Sequence, residues 1–118
     1  MIEIDAELAL RPVATAALRA VGLTDGHLAI EFVDPERMRE LNRKHRGIDR
    51  PTDVLSFPID GTGPTAGPRE LGDVVICREH TEDVTEAVVH GVLHLCGYDH
   101  ETDDGEMLAI QDRVVASL

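Results

Sequence analysis

The chain of 118 residues fits one compact domain built around a single hydrophobic core. Hydrophobic residues make up 42% of the composition, which excludes disordered and fibrous proteins, but only Phe32, Phe57 and Tyr98 are aromatic, so the core must be mainly aliphatic. The formal net charge of -12 argues against a protein that coats nucleic acid by bulk attraction, because its average field repels phosphate.

The first half of the chain alternates strands with helices. Residues 2–5 and the alternating run HLAIEFV (27–33) are predicted strands. Helices are predicted over 7–20, where Pro12 must lie in the first turn or kink the helix, and over roughly 35–45.

The second of these helices coincides with a cluster of basic residues. The window from residue 37 to 50 holds six of the eleven basic residues and two acidic ones. It therefore carries a charge of +4, and the rest of the chain carries -16. Either a solvated helix face or an anion-binding surface would explain such a cluster.

Two further strands, over 53–59 and 71–77, are predicted to pair as an antiparallel hairpin across a long loop rich in glycine and proline. A helix then runs from an N-cap at Thr81 to about Cys96, and a last helix covers roughly 104–117. We expect one α+β domain over residues 1–118, with helices packed on a small mixed four-stranded sheet.

No membrane or secretion signal is visible. No segment approaches the roughly 18–20 consecutive apolar residues that span a bilayer. The first ten residues, MIEIDAELAL, carry acids where a secretory signal carries bases. We therefore expect a cytoplasmic protein without a membrane partner.

The segment HGVLHLCGYDH (90–100) holds three histidines at a distinctive spacing. His90 and His94 are four residues apart, so they share one face of the predicted helix. Gly97 can end the helix in the left-handed conformation and let the chain return His100 toward the same point. The helix is otherwise apolar, so it should be buried, and its histidines need partners. A metal ion would satisfy them, and hydrogen bonds alone are the alternative.

Three imidazoles with an open fourth position are typical of a catalytic zinc site. Cys77 and Cys96 lack the C-x-x-C pattern and are not placed to complete the set, so we interpret them as reduced core residues. Water is then the expected fourth ligand, and zinc lowers the pKa of bound water to about 7. The chain is thus predicted to be a metal-dependent hydrolase with one Zn²⁺, built around a buried metal-binding helix.

The spacing also resembles that of metzincin proteases, H-E-x-x-H-x-x-G-x-x-H, but Gly91 stands where those enzymes place their general-base Glu. This difference weakens the prediction of peptidase chemistry. Two reasons for a glycine inside a helix remain open: room for a substrate, or close packing.

Together, HGVLHLCGYDH (90–100), LNRKHRGIDRPTDVLSFP (41–58) and LGDVVIC (71–77) resemble conserved blocks of the YbeY endoribonucleases. The resemblance implies cleavage of single-stranded RNA by a zinc-bound water, in small-subunit ribosomal RNA 3′-end processing and ribosome quality control. It implies ribosomal RNA, and ribosomal proteins of the small subunit, as partners. It also implies that His90, His94 and His100 are the metal ligands and that Arg46 is the functional arginine.

Residue chemistry agrees with this role for Arg46, because a guanidinium fork neutralises the charge that develops on phosphate oxygens. A solvated helix end is the alternative for this residue. Arg43, Lys44 and Arg50 are candidate contacts for backbone phosphates, which position RNA without reading its sequence. Asp99 could hydrogen-bond a ligand histidine from outside the metal site or cap the turn after the helix.

The sequence departs from the family's pattern at His45, which stands where an aromatic residue is familiar, and in a short stretch between Cys77 and His90. Two competing hypotheses remain. One is a zinc hydrolase acting on a peptide or small amide. The other is a ribosome-associated binding module without catalysis, in which the metal supplies folding energy.

Overall fold

Four strands form one mixed sheet in the computed structural model, which describes residues 1–118. They are β1 (Ile2–Asp5), β2 (Gly26–Phe32), β3 (Val54–Pro58) and β4 (Glu70–Ile76). Their order across the sheet is β1-β2-β4-β3, with β1 parallel to β2, β2 parallel to β4, and β3 antiparallel to β4. The predicted mixed four-stranded sheet and the antiparallel pairing of its last two strands are confirmed, and β3 is an edge strand.

Four helices surround the sheet: α1 (Arg11–Ala20), α2 (Pro35–Arg46), α3 (Val84–Leu95) and α4 (Glu106–Ser117). Helix α1 begins later than predicted, because Leu8–Leu10 forms a separate 3-10 turn. Pro12 lies in the first turn of α1, where a missing N–H leaves no hydrogen bond unmade. None of the helices is both long and apolar enough to cross a bilayer.

The prediction that Thr81 caps α3 is wrong. The N-cap is Asp83, whose carboxylate accepts a hydrogen bond from the Glu86 amide at 3.0 Å. The Thr81 hydroxyl instead donates to the Cys77 carbonyl at 2.6 Å, because residues Arg78–His80 form a 3-10 turn that Thr81 closes. This turn delays the start of α3.

Helices cover both faces of the sheet. On one face α1, α3 and α4 pack around the larger core cluster, which includes Leu28, Val74 and Leu93. On the other face Met38 of α2 packs in a smaller cluster with Leu55, Val75 and Cys77. Along the end of β4, Val74 and Ile76 therefore face the larger cluster and Val75 faces the smaller one, as the alternation of a strand requires. The predicted α+β architecture around a buried histidine-bearing helix is confirmed.

Helix α3 approaches the sheet most closely at Gly91. A Cβ atom there would lie 2.5 Å from Val74 Cγ1 and 3.3 Å from Val54 Cγ2. Val74 is fully buried and its branched side chain has little freedom to rotate away. The Ser56 hydroxyl on β3 also donates to the Gly91 carbonyl at 2.9 Å. Close packing between helix and sheet, rather than room for a substrate, therefore explains this glycine.

We expect Gly91→Ala to lower the free energy of unfolding by about 1–3 kcal/mol, because the added methyl group overpacks the core. The better helix propensity of alanine, about 1 kcal/mol, offsets only part of this loss. Urea unfolding followed by circular dichroism measures the change. Gly63→Ala is the matched control, since nothing lies within 4 Å of a Cβ at Gly63. Equal stability of the two variants would contradict the packing explanation.

Candidate metal centre

The three histidines of the HGVLHLCGYDH segment converge on one point. One ring nitrogen from each of His90, His94 and His100 lies within 4.8 Å of the other two. The ring centroids are separated by 4.7 Å for His90 and His94, 5.0 Å for His90 and His100, and 5.3 Å for His94 and His100. The convergence predicted from the spacing is therefore present.

Local backbone structure produces this convergence. His90 and His94 lie one turn apart on α3, so their rings are neighbours on the same helix face, with their planes inclined at 78°. Helix α3 ends at Leu95 with Cys96 as its C-cap, and Gly97 follows with a φ of 94°, a left-handed conformation that glycine adopts readily. The chain then reverses direction and brings His100 back beside the two helical rings.

Hydrogen bonds at Nδ1 orient the two helical histidines. His94 Nδ1 lies 2.9 Å from the Tyr98 carbonyl oxygen, which can only accept, so this nitrogen carries the proton. His90 Nδ1 lies 2.8 Å from Oε1 of Gln111 on α4. The two Nε2 atoms consequently face each other at 3.2 Å. Both rings thus present Nε2 toward the point shared with His100.

The residues present fit a metal ion. Two nitrogen ligands at tetrahedral angles around zinc, each about 2.0–2.1 Å from the ion, are about 3.3 Å apart. The Nε2 atoms of His90 and His94 match that separation at 3.2 Å. His100 Nδ1 is buried without a hydrogen-bond partner, which an uncoordinated imidazole would avoid. Burial, with the neighbouring His90, lowers the pKa of His94, so its neutral, metal-binding form is favoured.

Gln111 is not among the residues proposed from the sequence, where Asp99 is expected either to hydrogen-bond a ligand histidine or to cap the turn after the helix. The Asp99 carboxylate accepts a hydrogen bond from the Glu101 amide at 3.0 Å, while Gln111 and the Tyr98 carbonyl occupy the Nδ1 positions. The sequence does contain a pattern that indicates a buried role for Gln111. It is a polar residue on the inward stripe of α4, between the buried Met107 and Val114.

Neither cysteine belongs to this centre. Cys77 and Cys96 are both free and buried, as predicted. Cys96 packs in the larger core cluster, where burial raises the pKa of its thiol to about 11. A thiol that is so difficult to ionise is a poor metal ligand.

The histidines open into a cavity of about 530 Å³ that also reaches the end of α2. Its wall is formed by β3 residues on one side and by Asp99 and Glu101 on another. Arg46 and His45, the last two residues of α2, line the same cavity. The His45 ring packs on Phe57 with centroids 4.5 Å apart and planes inclined at 49°. The cavity therefore combines three convergent imidazoles with an arginine.

The remaining basic candidates lie outside this cavity. Arg43 lines a separate cavity on the outer face of α2. Lys44 lies 3.8 Å from Glu40, and Arg50 is exposed beyond the end of the helix. Arg37 pairs with Glu40 and Arg39 with Asp49, whereas Arg46 takes part in no ion pair. Of the four basic residues proposed from sequence, only Arg46 shares a cavity with the histidines.

Known proteins resemble the chain over nearly its whole length. A family model described as "Endoribonuclease YbeY" matches residues 3–118. The endoribonuclease YbeY of Sulfurihydrogenibium sp. (strain YO3AOP1) is 38% identical over 124 residues, covering 92% of this chain and 81% of that protein. The one from Azorhizobium caulinodans is 42% identical, covering 96% of this chain and 81% of that protein. A solution structure from Thermotoga maritima aligns with a TM-score of 0.56 at 31% identity, covering 98% of this chain and 87% of that one.

Proposed function

The chain belongs to the YbeY endoribonuclease family, and from that premise we propose that it is a zinc-dependent enzyme that cleaves single-stranded RNA. Its substrate in the cell is the precursor of small-subunit ribosomal RNA, cut during 3′-end processing and ribosome quality control. Proteins of the small subunit are its further partners, and the cytoplasm is its location.

The observation that carries the proposal is the shared cavity of Arg46 and the three histidines. His90, His94 and His100 would hold a divalent ion there, which would supply Lewis-acid chemistry for hydrolysis of the phosphodiester. The chain's own residues would stabilise the charge that develops on the phosphate. Phosphodiester hydrolysis builds negative charge on the non-bridging oxygens, and the Arg46 fork can bind two of them at once. Because no carboxylate pairs with it, Arg46 is free to do so.

The other residues singled out in the sequence have positions that suit supporting roles. Arg43, Lys44 and Arg50 are exposed around the end of α2, where they would contact backbone phosphates of RNA leaving the cavity. Asp99 lines the cavity, and its negative charge would favour a cation held by the three histidines. Its support of the metal ligands would then be electrostatic rather than a direct hydrogen bond.

Peptide hydrolysis is less well supported. A general-base carboxylate at position 91, as in the metzincin spacing, has no room, because Val74 and Val54 fill the space beside Gly91. A binding module without catalysis, in which the metal supplies folding energy, is the second alternative. Both alternatives are outcomes of the following experiment.

The test incubates the untagged protein with single-stranded RNA, duplex RNA and an unstructured peptide of similar length. We expect cleavage of the single strand only, lost on treatment with a chelator and restored by zinc. Peptide cleavage would favour the amide hydrolase, and tight RNA binding without turnover would favour the binding module. Ribosomal particles that carry unprocessed small-subunit RNA test the finer proposal, since mature 3′ ends should form only with active enzyme.

A further inference from the structure

Gln111 is one of two buried polar side chains, with 6% of its surface exposed, and it reaches the metal centre from α4. Its Oε1 atom lies 2.8 Å from His90 Nδ1. The corresponding partner of His94 is the Tyr98 carbonyl. The two neighbouring histidines are therefore oriented by groups of different chemistry.

The difference decides which tautomers the rings can adopt. A carbonyl only accepts, so His94 must carry its proton on Nδ1 and direct a bare Nε2 toward His90. A side-chain amide has an accepting oxygen and a donating NH₂, which exchange places when the amide rotates. Gln111 can therefore accept from a protonated His90 Nδ1 or donate to a bare one.

Each orientation of the Gln111 amide fits one state of the site, either with an ion bound or without one. With an ion bound, Nε2 of His90 must be bare, so Nδ1 carries the proton and donates to Gln111 Oε1. Without an ion, that tautomer would leave two bare Nε2 atoms facing each other at 3.2 Å. Rotation of the amide removes this repulsion, because the Gln111 NH₂ then donates to Nδ1, and His90 Nε2–H donates to His94 Nε2. The net charge of the site is the same in both arrangements.

We propose that Gln111 is a positioning residue whose amide rotation holds His90 in the Nδ1–H tautomer when the metal is bound and in the Nε2–H tautomer when it is not. This inference rests on the proposed metal binding by the three histidines. It assigns Gln111 two functions: it orients a ligand when the ion is bound, and it lets the facing Nε2 atoms of His90 and His94 form a hydrogen bond when the ion is absent.

The first test is the tautomeric state itself. Long-range ¹H–¹⁵N correlation NMR of the whole chain at pH 8, where neutral imidazole predominates, distinguishes protonated from bare ring nitrogens. We expect His90 to carry its proton on Nε2 in chelator-treated protein and on Nδ1 after zinc addition, with His94 on Nδ1 throughout. A His90 proton on Nδ1 in both samples would overturn the proposal.

Two variants separate this role from simple packing. In Gln111→Glu the carboxylate only accepts, so we expect His90 to keep its proton on Nδ1 with and without zinc. In Gln111→Met, which retains the length but no acceptor, zinc affinity should fall by about 10–100-fold, the usual loss when a ligand's outer partner is removed. Competition with a chromophoric chelator measures it. Unchanged affinity in Gln111→Met, or a tautomer switch that persists in Gln111→Glu, would contradict the assignment.

These measurements use no RNA, so their outcome does not depend on the proposed nuclease activity. Zinc binding without a change of His90 tautomer refutes the role of Gln111 alone. Absence of zinc binding by the unaltered chain refutes both this role and the zinc dependence of the proposed enzyme.

Discussion

His94→Ala is expected to remove the bound metal and to reduce RNA cleavage by at least about 10³-fold, since Lewis-acid stabilisation is worth several kcal/mol and each 1.36 kcal/mol is tenfold in rate. His94 is the more firmly oriented of the two helical histidines, because its partner is a backbone carbonyl that can only accept a hydrogen bond. Elemental analysis after dialysis, combined with a single-stranded RNA assay, measures both losses.

The matched control for this variant is His27→Ala. His27 lies on β2 and contacts Glu70 at 2.7 Å, outside the cavity of the three histidines. We expect it to keep its metal and its activity. Full metal content in His94→Ala would contradict the assigned ligand set.

The same samples distinguish a catalytic ion from a structural one. None of the three ligand histidines belongs to either hydrophobic cluster, and the larger cluster alone unites 19 buried residues. We therefore expect the metal-free protein to retain its circular dichroism spectrum. Outright unfolding on metal removal would favour the non-catalytic hypothesis, since structural sites supply folding energy.

Arg46→Ala is expected to lower RNA cleavage by about 10²–10³-fold, the usual loss on removal of one donor to transition-state charge. Metal content should not change, because Arg46 comes from α2 and contributes no ligand. The loss should appear in kcat as well as kcat/KM if the guanidinium acts in the transition state. Arg46→Lys should recover only part of the rate, because a point charge cannot replace the planar fork.

Arg37→Ala is the control, since Arg37 lies on the same helix but pairs with Glu40 at 3.0 Å on the outer face. We expect normal cleavage from it. If Arg46→Ala and Arg37→Ala behaved alike, the phosphate-binding role of Arg46 would be wrong, and the basic window would act only through its overall charge.

The histidine convergence could be predicted from the sequence because it is local. A helical spacing of four and a helix-ending glycine fix His90, His94 and His100 within eleven consecutive residues. Gln111 could not be predicted in the same way. Its contact with His90 spans 21 positions and depends on how α4 packs against α3, which only the folded chain determines.

The basic window illustrates a second limit of sequence analysis. Six basic residues within 37–50 indicate an anion-binding surface, but the pattern does not tell which of them face the catalytic cavity. In the folded chain Glu40 and Asp49 form ion pairs with three of these basic residues, and Arg43 lines a separate cavity on the outer face of α2. Resemblance to a family, rather than charge, identified Arg46.

The placement of α2 and α3 on opposite faces of the sheet allows independent tuning of the two parts of the proposed centre. Helix α3, which carries His90 and His94, packs in the larger core, whereas α2, which carries Arg46, packs in the small cluster around Met38. Arg46 and the three histidines come together in the cavity beside the edge strand β3. Substitutions in the small cluster that supports α2 would therefore change the position of Arg46 more than the positions of the three histidines.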